Sequence, residues 1–358
     1  MIPDLWPPRV RFPALRQALS LLEMGCFAAG LLASLFGRNS PPLAVAGSFA
    51  VVLLLGMQLL KLFAARRALR HTTLVHAHAW AVVALLVWLA GFFIDGDAPA
   101  APLALCRSSL RYLSVVLVVA GFVAVLGARR PGMWVWHLVL LTLVVVFCLP
   151  LAQQALLARG PAAAFELDMA WVTFLSIIGA VALGNYVPTS HCGPTLLAAS
   201  ALVLQLAPLT SWWPASWNEP GRSALPPALA LCGAISWGVH QVNVRSQFVG
   251  RVSRADRIWL AFRDLYGFVW ARRVLEQFNH TARQSGRRWQ LHWSGLKPLP
   301  ADRPTSPMLA VDAPPASDPA PWHGQPLHDA EVERAIRYLL PRFVTPQWLD
   351  RVARGTSL

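Results

Sequence analysis

Between residues 18 and 245 long apolar runs alternate with short polar or proline-bearing breaks, and after residue 250 the pattern changes to mixed faces. The runs are about 20 residues long, enough for a helix rising about 1.5 Å per residue to cross a hydrocarbon layer of roughly 30 Å. They predict eight spanning helices, at about 18–36, 43–64, 72–94, 110–127, 134–157, 168–187, 195–213 and 226–245. The first run contains Glu23 and lacks a small-residue cleavage site, so it is expected to remain as an anchor and not to act as a signal peptide.

Beyond residue 250 the spacing is that of a small folded region. From Ser253 to Gln284, Ile258, Phe262, Leu265, Val269 and Phe278 recur at helical spacing, and Ser285-Gly286 supplies a stop. Trp289, Leu291 and Trp293 alternate with polar residues, as in a short strand. A proline-rich linker follows at 298–326. Asp329 then caps a helix with Val332, Ile336, Leu339 and Leu340 on its apolar face, and Thr345-Pro346 starts a shorter one. The expected fold is therefore an all-α polytopic integral membrane protein of about eight transmembrane helices (1–249). A small, mainly helical C-terminal part (250–297 and 327–358) joins it through the linker. Trp259, Phe262, Trp270 and nearby arginines would also let the long helix lie on a membrane surface.

Composition supports the membrane reading. Apolar residues make up 56% of the 358 positions and charged residues 13%, against roughly 25% charged in soluble domains. The net charge of +14 divides into an excess of eight before residue 250 and six after it. Basic loops have a sufficient cause in membrane orientation, so no nucleic-acid partner is expected. Arg9, Arg11, Arg16, Lys61, Arg66, Arg67, Arg70, Arg129 and Arg130 gather on one side. Arg38, Arg107, Arg111, Arg159 and Arg222 fall on the other, with most of the acids. Both termini are thereby placed in the cytoplasm, with a bacterial inner (plasma) membrane as the expected location. Trp134 and Trp136 at one boundary, and Trp212, Trp213 and Trp217 at the other, suit aromatic belts.

Five scattered cysteines form no C-x-x-C pair and read as buried apolar residues. Asn279-His280-Thr281 fits a glycosylation sequon but falls on the cytoplasmic side. The chain has no P-loop, H-E-x-x-H or G-x-S-x-G motif. Candidate chemistry rests on ionisable or polar residues in or beside the spans: Glu23, His71, His78, His137, Asn185, Tyr186, His191 and His240. All are expected at the cytoplasmic end. His71 and His78 would share a helix face, with His76 on another.

Four functions follow as expectations. A non-catalytic subunit, scaffold or assembly factor, docking partner proteins through residues 250–358, accounts for most features. His78 with His137 or His240 could hold a b-type haem. Glu23 and the histidines could form a proton- or cation-coupled path. The polar segment Gly184–Pro194, with Gln241 and Asn243, could cup the headgroup of a lipid-linked substrate.

Overall fold

The computed structural model describes residues 13–37, 40–94, 101–129, 133–157, 165–212, 224–247, 253–285, 287, 289–298 and 326–355. In its first part these residues form eight helices: α1 (Pro13–Phe36), α2 (Pro41–Leu69), α3 (Val75–Phe93), α4 (Ala101–Leu126), α5 (Met133–Leu157), α6 (Met169–Gly184), α7 (Cys192–Leu206) and α8 (Leu225–Gln247). Of these, α1 to α5, and α7 together with the 3-10 turn that continues it to Leu209, are long and apolar enough to cross a membrane; the apolar α6 is shorter than these spans. Large apolar side chains such as Leu35, Val45, Phe49, Leu60, Val145 and Val181 stand on outward faces. In water they would form adhesive patches, whereas in a bilayer they meet acyl chains. The chain is a polytopic, largely helical membrane protein.

Local sequence explains several helix ends. Prolines occupy the first positions of α2, where a backbone N–H would lack a helical partner anyway. Asp168 caps α6 by accepting from the Ala170 amide at 3.0 Å. Before α3, the Thr72 hydroxyl donates to the Leu69 carbonyl and accepts from the Leu74 amide. These bonds turn the chain, so α3 starts at Val75 and His71 precedes it. The shared helix face expected for His71 and His78 does not exist. Helix α4 begins at Ala101 rather than near residue 110, taking Arg107 and Arg111 into its first turns. Of the five cysteines, Cys26 and Cys232 are buried and Cys106 is exposed.

Helix α3 packs along α4, α1 along α2, and α7 along α8; α2 links these pairs by touching α3 and α8. Helix α1 comes so near α2 that a β-carbon on Gly47 would overlap that of Ala33, the close approach that small residues allow between membrane helices.

The C-terminal part consists of α9 (Arg254–Gln284), the hairpin β1 (Trp289–His292) and β2 (Gly295–Pro298), α10 (Pro326–Leu339), a 3-10 turn (Leu340–Arg342) and α11 (Pro346–Ala353). This region is mixed α/β, which corrects the all-α expectation. The anticipated strand has an antiparallel partner, with Trp289 opposite Pro298 and His292 opposite Gly295, because a lone strand would leave its ladder groups unpaired. Asn279 of the sequon is buried and holds this hairpin, donating to the Leu291 carbonyl and accepting from its amide, both at 2.8 Å. Fully buried Trp259, Phe262, Phe278, Ile336 and Trp348 form the core. Arg337 joins α10 to α11 through Asp350 at 2.6 Å. The linker positions 299–325 lie outside the described residues.

Helix α9 breaks at Gly267 (φ 75°, ψ −171°), a conformation open essentially to glycine alone. The break is where this region meets the bundle. The Asn185 side chain donates to the Tyr266 carbonyl at 3.2 Å and accepts from the Val269 amide at 2.9 Å, and its carbonyl accepts from the Phe268 amide at 2.7 Å. One asparagine thus satisfies backbone groups that the interruption frees.

Candidate functional site

Three inter-helix connections lie against α9 and the turn after α10. In the α2–α3 turn, the Thr73 hydroxyl is 3.0 Å from the Tyr266 hydroxyl, and the Thr73 amide donates to the Phe343 carbonyl at 3.0 Å. The His71 carbonyl accepts from the Thr345 amide at 2.9 Å. At the end of α4, the Val125 carbonyl accepts from Trp270 Nε1 at 3.1 Å. In the α6–α7 connection, the Tyr186 hydroxyl donates to the Leu265 carbonyl at 3.1 Å, and the Pro188 carbonyl accepts from Trp293 Nε1 at 2.7 Å. One end of the bundle is therefore covered by the C-terminal region.

Beneath that cover lies an open-sided cavity of about 370 Å³ lined by α2, α3, α4, α7 and α8. Its lining runs inward from Leu69, Val125, Val239 and Leu265 to Leu62, Leu85, Val118, Ala198 and Leu231. From Leu74, at the start of α3, to Leu85 within it this corresponds to a depth of roughly 16 Å at helical rise. Almost all of the lining is apolar. Its polar members are His78, Tyr186, His191, Thr195 and Asp264, which belong to the covered end or the first turns leading from it.

His78 is buried there, at 7% exposure. It hydrogen-bonds to the backbone of Leu62, and its buried Nε2 has no protein partner. The bond fixes the ring and leaves one nitrogen for whatever enters, the arrangement by which imidazoles are oriented at binding sites. Asp264 Oδ1 accepts from Arg263 Nη2 at 2.9 Å and from the Ser190 amide at 3.4 Å. The Tyr186 ring stands edge-on to Phe122, with centroids 5.8 Å apart.

The other expected residues divide into separate places. His137 meets His76, not His78, in an edge-on ring contact with centroids 4.5 Å apart. His240 is exposed on α8 and does not line the cavity, and neither does Gln241; the Asn243 side chain lies outside the described residues. Neither His137 nor His240 lines the cavity with His78, so the pairs expected for haem do not converge on it. Among the described residues no group of three or more His, Cys, Asp and Glu is placed to hold a metal ion.

Glu23 belongs to a different assembly. Its Oε1 accepts from Lys61 Nζ at 2.5 Å, from Gln58 Nε2 at 2.9 Å and from Ser236 Oγ; Lys61 Nζ also reaches Ser236 Oγ at 3.3 Å. The acid expected to start a proton path is clamped by a cation and two neutral donors from α2 and α8. The spacing of Gln58 and Lys61, three apart on one helix face, was the available signal for these partners. Asp264 carried no comparable signal, because its place depends on how α9 meets the α6–α7 connection.

Compared with known protein families, with curated proteins and with solved structures, the chain matches none.

Proposed function

We propose that the chain is a non-catalytic membrane component that receives the apolar chain of a membrane amphiphile in the cavity under α9. The proposal takes α1 to α8 as eight crossings, with the covered end and both termini on the cytoplasmic side. The observation that carries it is the cavity's composition: an apolar slot within the bundle, with its few polar groups gathered at one end around the unpartnered Nε2 of His78. Pockets of this size with a small set of placed polar groups are the common form of small-molecule sites. Here the surrounding solvent is itself composed of amphiphiles whose apolar chains match the slot.

Binding fits these groups better than catalysis. The Tyr186 hydroxyl is committed to the Leu265 carbonyl, and Asp264 to Arg263 and the Ser190 amide, so both hold the cover in place. In this reading the described surfaces of α9, β1 and the turn after α10 are used on the chain's own bundle.

The test is extraction of bound amphiphiles from full-length protein purified in mild detergent, followed by mass spectrometry. Ala198→Trp and Gly238→Leu each place bulk in the slot. Wild-type protein should carry an enriched amphiphile, and each variant should lose more than half of it while melting normally. Equal yields from wild type and both well-folded variants would overturn the proposal.

A further inference from the structure

A second cavity, of about 320 Å³, opens where the end of α4 meets the C-terminal region. It is lined by Arg129 after α4, by Trp270, Arg273 and Gln277 on α9, by Tyr338 on α10 and by Arg342 in the 3-10 turn after it. Three guanidinium-bearing residues therefore converge from three elements, and no carboxylate-bearing residue lines the cleft among the described residues. Nearby acids are engaged elsewhere: Glu276 with Arg272, Glu331 with Arg287, and Glu333 and Asp350 with Arg337. The floor is firm, since Trp270 and Phe343 are buried and Trp270 Nε1 is bonded to the Val125 carbonyl.

Convergent arginines without acids concentrate positive potential, and a guanidinium fork matches the oxygens of a phosphate better than any other side chain does. The Gln277 amide and the Tyr338 hydroxyl offer further donors at the rim. Arg129 follows the last turn of a membrane helix, which sets the cleft at the depth of lipid headgroups. We infer that this cleft binds a phosphate group, carried either by an anionic phospholipid at the membrane surface or by a soluble phosphate compound. The site is separate from the apolar cavity and does not depend on its occupant.

Full-length protein in mild detergent is titrated with phosphatidylglycerol, phosphatidylcholine or inorganic pyrophosphate, and binding is counted by native mass spectrometry. Arg273→Gln and Arg342→Gln alter exposed side chains and should leave the melting temperature unchanged. Each guanidinium is expected to contribute about fivefold, so the double variant should lose about twenty-five-fold in affinity for the phosphate-bearing probe. Arg272→Gln, one residue away and paired with Glu276, should bind as wild type does. Saturable binding of phosphatidylglycerol over phosphatidylcholine, lost in the double variant, supports the site with a lipid as its source. Binding of pyrophosphate alone with the same losses supports it with a soluble source. Two results overturn the inference: equal binding of all three probes, or equal loss in Arg272→Gln.

Discussion

Asn185 and Gly267 form the tightest single junction between the bundle and the C-terminal region. A β-carbon at position 267 would overlap the Asn185 amide and carbonyl, in a backbone conformation already costly for any other residue. Asn185→Ala removes the hydrogen bonds to the buried Tyr266 carbonyl and the part-buried Val269 amide and leaves both groups unpaired. A loss of about 2–4 kcal/mol is expected, measurable by thermal or denaturant unfolding in detergent. Gly267→Ala should cost at least as much, because clash and backbone strain act together. A wild-type melting curve for either variant would contradict this account of the break. Asn185 was legible as a polar residue at a helix end, but its role was not. Satisfying both halves of a broken helix requires a partner 80 residues away in sequence, roughly, and no local spacing encodes that pairing.

At the scale of elements, the contact of α1 with α2 and α8 is organised around Glu23 and Lys61. Glu23→Gln or Lys61→Met should each destabilise by about 2–4 kcal/mol, less than for a fully buried pair because a lysine stem can reach the headgroups. The double variant should recover most of either loss. Additive losses in this cycle would mean that the pair is not coupled. Glu23 stood out in the sequence as an acid inside a span. In the sequence Lys61 is one more orienting charge, since its role depends on how α1 lies against α2. The strand at Trp289 was likewise legible from alternation, whereas its partner β2 begins on a glycine and ends on a proline, residues that read as a turn or a linker and not as a strand.

At the scale of the whole molecule, the α2–α3, α4–α5 and α6–α7 sides of the bundle and the chain after α8 meet at one end. Such a meeting is what alternating crossings require, and the eight crossings proposed above would count the apolar α6 and the more polar α8 with the six helices long and apolar enough to cross. A fluorescent-protein reporter fused after Leu358 should be active in the cytoplasm, and an alkaline phosphatase fusion at the same place should be inactive. The reverse result would invert the proposed orientation and put the phosphate cleft on the outer face.

Hydrophobic run length by itself determined that this chain enters a membrane, near which residues its helices lie, and that a differently built region follows residue 250. Those properties are local, because burying backbone and apolar side chains in hydrocarbon dictates both helix and length. Tertiary structure alone decided which polar residues meet. It gathered His78, Tyr186 and His191 around one cavity under α9, set His76 against His137, and clamped Glu23 with Lys61. It also drew Arg129, Arg273 and Arg342 around one cleft. The physical reason is the same in each case: an ionisable group in a membrane must be paired, enclosed or placed at the surface, and the sequence names the group but not the neighbour.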